Sequence, residues 1–311
     1  MRGRIFGAGV LLLALALGAC GESPEVARVS LERRVEVASV RPSQGPEAVR
    51  GSPPPLRVAI ASVLSPSRTL NDYHDLLTYM GRRLGRPIRL FQRSTYAEVN
   101  DLLKNREIDL AFVCAGALLE GEREFGMRAL VVPQIRGETV YYSYLIVNRR
   151  SRAEGLEDLR GRSFAFSDPL SNSGRLVPVY QLAVRGETPE RFFSRTAFTY
   201  SHDNSILAVA DGLVDGAAVD SLVYDYLRAR NPEAAAETRI IARWGPYGIP
   251  PVAVHPDLDP DLKRTLKEFL LSMHADPEGK RILEWLLIDR FVDVDPNLFR
   301  SIRQMAARVG R

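Results

Sequence analysis

From residue 56 onward the chain alternates short apolar runs with longer amphipathic ones, and this alternation constrains the fold more than any other feature. Residues 56–61 (Leu-Arg-Val-Ala-Ile-Ala) read as a strand, and residues 71–84 as a helix with Leu76, Leu77, Met80 and Leu84 at helical spacing. Gly85-Arg86-Pro87 breaks that helix, and residues 88–91 form a second strand. A helix over 96–105 can be capped by Ser94 or Thr95, and strands follow at 109–114 and 129–132. Strand and helix in strict alternation predict an α/β fold with a largely parallel sheet flanked by helices.

The pattern then repeats. Residues 140–148 are long and rich in β-formers, and suit a strand that leaves one lobe for another. A short helical turn at 155–161, strands at 164–166, 198–200, 216–219 and 239–242, and helices at 174–183, 204–210 and 221–230 make a second unit. Gly245-Pro246-Tyr247-Gly248-Ile249-Pro250-Pro251 punctuates the chain before a strand at 252–254. The expectation is two lobes, residues 56–145 with 246–311 and residues 146–245, joined by two crossings near residues 145 and 246. Helices at 260–273, 277–287 and 296–309 would pack back on the first lobe. Such lobes leave a cleft at the strand C-terminal ends, where open α/β sheets take ligands.

The N-terminus speaks to compartment. Arg2 and Arg4 precede an uncharged Leu/Ala-rich stretch at 7–18, too short for a stable membrane span. Leu17-Gly18-Ala19-Cys20 resembles a bacterial lipobox. Residues 1–19 are therefore expected to be a lipoprotein signal, with Cys20 the lipidated first residue of a chain of 311 − 19 = 292 residues. An ordinary signal peptide with a chance cysteine, or a buried apolar helix, is the alternative. Residues 20–55 carry Pro24, Pro42, Pro46 and Pro53-Pro54-Pro55 among scattered charges, and read as a flexible tether.

Composition matters here only for what it removes. The formal charge is +4 and the pI about 9.1, yet lysine occurs only at Lys104, Lys263, Lys267 and Lys280, leaving 42 − 4 = 38 arginines scattered without a long basic run. Loss of Arg2 and Arg4 with the signal lowers the charge to 4 − 2 = +2. No nucleic-acid partner is expected. Two cysteines, Cys20 and Cys114, provide neither a disulfide framework nor a cysteine-rich zinc site, and Cys114 reads as a buried apolar residue.

Three segments at strand–helix junctions carry chemistry. In Asp168-Pro169-Leu170-Ser171-Asn172-Ser173-Gly174 two hydroxyls, an amide and free helix N–H groups could hold an anion, or Ser or Asn could merely cap the helix. In Ser201-His202-Asp203-Asn204-Ser205, Ser201 or Asp203 could cap while His202 faces the cleft, or His202 could be a surface loop residue. Asp220, between a strand and a helix, suits an anion that carries a proton, since it would accept the P–OH hydrogen and repel the fully ionised form; it could equally cap its own helix.

Together these segments resemble the phosphonate-binding (PhnD-like) group of periplasmic binding proteins, which serve ABC importers of phosphate, phosphite and phosphonate. The resemblance spans residues 56–273 and rests on residues 166–174, 201–209, 215–221 and 247–251 in that order. It implies a two-lobed type II periplasmic-binding-protein fold that closes on a tetrahedral oxyanion and delivers it to a membrane permease, with no cofactor and no metal. It assigns ligand contacts to Ser171, Asn172, Ser173, His202 and Asp220, and to Tyr73 in the first helix. With the lipobox-like segment, the expectation is a monomer in the cell envelope, anchored through Cys20. Two departures stand out: Asn172 lies where the group often has Thr, and Cys114-Ala115-Gly116-Ala117-Leu118 lacks the usual Gly-Pro-aromatic, which removes a cleft donor. With no clear acidic partner for an amine, phosphate, phosphite or a simple alkyl phosphonate is expected over an aminoalkyl phosphonate.

Other classes fit less well. Ser201, His202 and Asp203 are adjacent and cannot form a triad, whose members converge from separate positions. Neither a Gly-x-Ser-x-Gly elbow nor a His-Glu-x-x-His pattern is present. A lipid-tethered sensor of the same fold, signalling to a membrane kinase, is the rival; sequence does not separate it from an importer subunit.

Overall fold

The computed structural model describes residues 53–230 and 232–310. The expected signal, Cys20 and all but the last residues of the tether lie outside them. Eleven strands are present among the described residues: β1 Leu56–Ile60, β2 Ile88–Phe91, β3 Leu110–Phe112, β4 Arg128–Gln134, β5 Val140–Asn148, β6 Ser163–Phe166, β7 Arg195–Phe198, β8 Gly216–Asp220, β9 Thr238–Gly248, β10 Val252–Val254 and β11 Arg290–Val292. The helices are α1 Pro66–Leu84, α2 Tyr96–Lys104, α3 Ala115–Phe125, α4 Val177–Ala183, α5 Pro189–Phe192, α6 His202–Ala210, α7 Ser221–Arg230, α8 Pro232–Ala236, α9 Pro260–Ser272, α10 Pro277–Trp285 and α11 Arg300–Arg308.

They build two sheets, ordered β11-β4-β10-β3-β1-β2 and β7-β6-β8-β5-β9. In the first, β1 runs parallel to β2 and β3, and β10 is antiparallel to both β3 and β4. In the second, β6 is parallel to β7 and β8, and β5 is antiparallel to β8 and β9. With β11 also antiparallel to β4, each sheet is mixed rather than largely parallel as expected: most strands point the same way, but β10 and β11 in the first sheet and β5 in the second run against them, and both faces of the central strands are covered. Alternation along β1 makes this visible. Leu56, Val58 and Ile60 join a core with Leu76 and Met80 of α1 and Leu266 of α9, while Ala59 points to a second core with Val99 of α2 and Leu118 of α3. In the second sheet Leu145 and Phe164 pack one way, and Ile146 and Ala165 pack the other, against Ile206 and Val223. Buried on both faces, such strands lose the polar alternation of a half-exposed sheet.

Strand pairing moves the two crossings from where the sequence placed them. All of β5 and all of β9 belong to the second sheet, so the chain passes between sheets at residues 135–139 and returns at 249–251, not near 145 and 246. The β5–β9 ladder, at one edge of the second sheet, holds the segments that enter and leave it together up to the crossings, which stay side by side through Ile249 N–H donating to Thr139 O at 3.0 Å. The strand expected at 198–200 lies at 195–198 instead. It is an exposed edge strand without an apolar run, and Tyr200, at φ 59°, turns the chain into α6. The helix α3 was not anticipated, because Gly116 and Gly121 depress its intrinsic propensity.

The cap of α2 is Thr95, whose hydroxyl accepts Glu98 N–H at 3.2 Å while Glu98 Oε2 accepts Thr95 N–H at 2.9 Å. Removing this reciprocal pair with Thr95→Ala is expected to cost about 0.5–2 kcal/mol of unfolding free energy, read by denaturant titration.

Candidate functional site

Loops at the C-terminal ends of β6, β7 and β8 converge on one point between the sheets. β6 leads into residues 167–171, which feed a wide π turn over Asn172–Leu176 and then α4. β7 leads into Ser201 and α6, and β8 ends on Asp220 at the start of α7. Ser171, Asn172, Ser173, His202 and Asp220 are all buried, none more than 2% exposed. Five polar or ionisable side chains taken out of water at one place need partners.

Some partners are internal. Ser171 Oγ accepts Gly174 N–H at 3.0 Å, so it caps its helix, and it also lies 3.4 Å from His202 Nε2. Asn172 Nδ2 donates to the Tyr141 hydroxyl at 2.9 Å. His202 Nδ1 accepts the backbone N–H of Asp220 at 3.1 Å, which leaves Nε2 to carry the proton of the neutral ring. Asp220 Oδ1 accepts Leu222 N–H at 2.7 Å, so Asp220 caps α7. Ser201 caps α6 through Asn204 N–H at 3.3 Å.

Other polar atoms are left over. Ser167 Oγ, Asn172 Oδ1, Ser173 Oγ and the Tyr96 hydroxyl are buried without a hydrogen-bond partner. Each such atom costs about 1–3 kcal/mol of desolvation. They share surroundings with the predicted residues. A Cβ built on Gly174 would stand 1.8 Å from Ser167 Oγ and 3.0 Å from His202 Cε1, so glycine is what lets these groups close up.

Burial sets the charge states. It pushes the His202 imidazole down to about 3, with only Asp203 opposing, so the ring stays neutral. It pushes Asp220 up to about 7 against the pull of the Leu222 and Val223 N–H groups. Tyr96 and Tyr141 are held well above the usual phenol range by burial and then by Cys114, with Asp220 adding to both; Asn172 and Ser173 pull Tyr141 the other way. Cys114 is a buried thiol raised to about 11, again by burial, although the Asn172 and Gly116 N–H groups face its sulfur. No lysine or arginine supplies any of these hydrogen bonds.

Sequence reasoning missed Tyr96, Tyr141 and Ser167, and placed Cys114 in the core without its contact to the Asn172 loop. Tyr96 opens a helix and Tyr141 sits in a strand, where each reads as ordinary core. Tyr73 does not join the hydrogen-bonded cluster. It lines an adjoining cavity with Asp220, edge-on to Phe112 at 5.7 Å, and burial followed by Asp72 and Asp220 raises its hydroxyl to about 12.

The two halves of the molecule touch around this cluster. Asp203 Oδ1 accepts Ser65 N–H at 2.9 Å and its Oδ2 lies 3.4 Å from Arg68 Nε. His202 N–H donates to Val63 O at 3.1 Å, and Tyr96 N–H donates to Asp168 Oδ2 at 3.1 Å. Gly116 of α3 abuts the loop so closely that a Cβ there would stand 2.2 Å from Leu170 O. Among the described residues no cluster of His, Cys, Asp and Glu is placed to hold a metal, and no helix is long and apolar enough to cross a membrane.

Comparison with known proteins points the same way. The family described as "ABC transporter, phosphonate, periplasmic substrate-binding protein" matches residues 58–299. The phosphonates-binding periplasmic protein of Escherichia coli K12 is 28% identical over 238 residues, 74% of this chain and 70% of its own length. A phosphate-import protein of Mycolicibacterium smegmatis is 28% identical over 187 residues, 56% of this chain and only 57% of its own length. The crystal structure of a binding-protein component of an ABC phosphonate transporter from Pseudomonas aeruginosa superposes with a TM-score of 0.78 at 26% identity, over 83% of this chain and 87% of that one. With two α/β sheets, a polar cluster at their strand ends and a family match running through both, the chain belongs to the periplasmic substrate-binding proteins of ABC phosphonate transporters.

Proposed function

We propose that this chain captures a phosphorus oxyanion between its two halves and hands it to an ABC permease. The observation that carries the ligand assignment is the set of buried polar atoms left without partners, namely Ser167 Oγ, Asn172 Oδ1, Ser173 Oγ and the Tyr96 hydroxyl, beside the His202 Nε2 proton. Hydroxyls and a neutral imidazole offer donors to a tetrahedral anion from several directions. Asp220, near neutrality in its pKa, keeps one proton in the contact: it donates when protonated, or accepts from a P–OH when not. Binding by neutral donors makes selectivity a matter of hydrogen-bond matching, because a wrongly protonated ligand leaves a buried acceptor facing another acceptor. The relatives' names differ in ligand, phosphonates in one and phosphate in the other, so the substrate follows from this chain's own residues.

The lobes of this reading are residues 56–134 with 252–310 and residues 140–248, hinged at the two crossings. Closure is held by the contacts of Asp203 with Ser65 and Arg68, and of Tyr96 with Asp168. A ligand that bridges the lobes shifts the population toward this closed form. Residues 1–19 act as the signal, Cys20 as the lipid anchor at the cell envelope and residues 20–55 as the tether of a monomeric binding protein. We assign no catalytic role. His202 Nδ1 is held by a backbone N–H rather than a carboxylate, which is the wrong support for a general base.

A thermal-shift screen with phosphate, phosphite, sulfate, methylphosphonate and 2-aminoethylphosphonate tests the reading. A phosphorus oxyanion present at 100 times its Kd should add about 2.7 kcal/mol of stability. His202→Ala is expected to weaken that binding at least tenfold by calorimetry, with the fold intact by circular dichroism. Unchanged affinity would remove His202 from the site, and no stabilisation by any of the phosphorus compounds would remove the oxyanion.

A further inference from the structure

A cavity of about 140 Å³ meets the polar cluster at Asp220. Its walls come from both halves: Val63, Tyr73 and Phe112 on one side, Leu222 and Tyr226 on the other, with Pro251 of the return crossing between them. Its chemistry is unlike that of the cluster. No lysine, arginine or histidine lines it, and its surface is mostly hydrocarbon. Its two carboxylates are already engaged. Asp220 takes Leu222 N–H, and Asp72 lies against the Tyr226 hydroxyl, which burial and then Asp72 raise above its ordinary pKa. None of Ser171, Asn172, Ser173 or His202 contributes to the lining. With no cation in its walls and with Asp72 on its far side, this space is poorly suited to the charged head of an oxyanion.

An apolar cavity of about 150 Å³ accepts a benzene ring. A ligand whose phosphorus oxygens occupy the Ser171–His202 cluster and which continues past Asp220 would place a carbon substituent in this space. Inorganic phosphate and phosphite have no such substituent. We infer that the preferred substrate is an organophosphonate whose uncharged, largely hydrocarbon arm of roughly four to six heavy atoms, a size set by comparison with that benzene-sized cavity, is seated between Val63, Phe112 and Leu222. The inference rests on the oxyanion reading above and deepens it, since the cluster recognises the head and the cavity selects the arm.

The test is titration calorimetry of the full mature chain with methyl-, n-butyl- and phenylphosphonate, and with 3-aminopropylphosphonate and 3-phosphonopropionate as arms of similar length ending in a cation and an anion. Each buried methylene is worth about a fourfold gain in affinity, so n-butyl- and phenylphosphonate should bind at least tenfold more tightly than methylphosphonate. The aminopropyl compound should bind no better than the butyl, and the carboxylate worse than the methyl. Ile288→Phe narrows the cavity from the core of the first lobe, in the loop after α10. It should erase the butyl advantage while methylphosphonate affinity, which also reports folding, stays within threefold. Butyl and phenyl affinities equal to methyl, or an aminopropyl arm that wins, overturn the inference and leave the oxyanion reading standing. Failure of every phosphonate to bind overturns the inference, and phosphate and phosphite titrated alongside decide the oxyanion reading separately: if they bind it stands, and if they too fail it falls.

Discussion

Between pH 6 and pH 9 the wild-type protein is expected to lose ten- to a hundredfold in affinity for methylphosphonate beyond any loss seen in Asp220→Asn. Burial holds the Asp220 carboxyl near 7, so below that pH it is a neutral donor beside the ligand and above it a carboxylate facing an anion. In a buried site such a like-charge contact is poorly screened. Each pKa unit by which the ligand disfavours ionisation of Asp220 is worth about 1.4 kcal/mol, or tenfold in binding. The ligand's own second ionisation, at about pH 6 for phosphate esters, is common to both proteins, so the difference between their profiles isolates Asp220. Calorimetry at half-unit intervals reads it, and superimposable profiles would place the proton on the ligand alone.

The same two groups oppose each other in the stability of the closed form, where both are buried. Asp220 is raised from 3.8 to about 7, so its contribution is fully present below 3.8 and is lost as pH rises through 7. His202 is lowered from 6.5 to about 3, so its contribution is present above 6.5 and is lost as pH falls toward 3. Between about pH 4 and 6.5 the two slopes have opposite sign, and each is limited to about 1.4 kcal/mol per pH unit. Asp220→Asn therefore steepens the loss of stability toward acid, and His202→Gln reverses it. Tyr73, Tyr96, Tyr141 and Cys114 surround Asp220 but stay protonated throughout this range, because burial raises all four.

Much of the architecture was legible because local signals agree with tertiary need. The runs at β1, β3, β6 and β8 are largely apolar, with Arg57 the charged interruption in β1, because both faces of those strands are covered, and Gly85, at φ 62°, ends α1 where the sequence breaks. What escaped notice was set by pairing rather than by propensity. Nothing local in residues 140–148 says whether that strand pairs with β4 or with β8, so the crossing was placed too late. Helix α3 exists because Leu118 and Ala117 bury against the sheet, which offsets two glycines that argue against a helix. The site divides similarly. Ser171, Ser173, His202 and Asp220 stand at strand–helix junctions, where free N–H groups and short polar side chains advertise themselves. Tyr96 and Tyr141 look like core residues, and only the buried, unpartnered Tyr96 hydroxyl and the Asn172–Tyr141 bond separate them from it. Both lie beside Cys114, which stands in the segment where the Gly-Pro-aromatic is absent.

Gly116→Ala is expected to leave the free protein as stable as the wild type or more so, and to weaken phosphonate binding at least a hundredfold. Alanine is favoured over glycine within a helix by up to about 1 kcal/mol, and residue 116 lies in the first turn of α3. With the lobes apart, nothing opposes that gain. With the lobes together, the new Cβ would stand 2.2 Å from Leu170 O and 2.9 Å from Asn172 N, backbone atoms of the opposite lobe. Relieving the overlap requires the 170–172 loop to withdraw by about 1 Å, twice the tolerance of about 0.5 Å that a binding constellation allows. Ser171, Asn172 and Ser173 would move with it, away from Tyr96 and the contact of Asp168 with α2. Gly155→Ala is the control, since nothing lies within 4 Å of its Cβ position. Calorimetry gives the affinities, and small-angle scattering with and without methylphosphonate shows whether compaction on binding is lost in Gly116→Ala alone. Full affinity and full compaction in that variant would mean that the lobes grip their ligand in some arrangement other than this one, because no backbone can accommodate that methyl group where α3 and the Ser171 loop now meet.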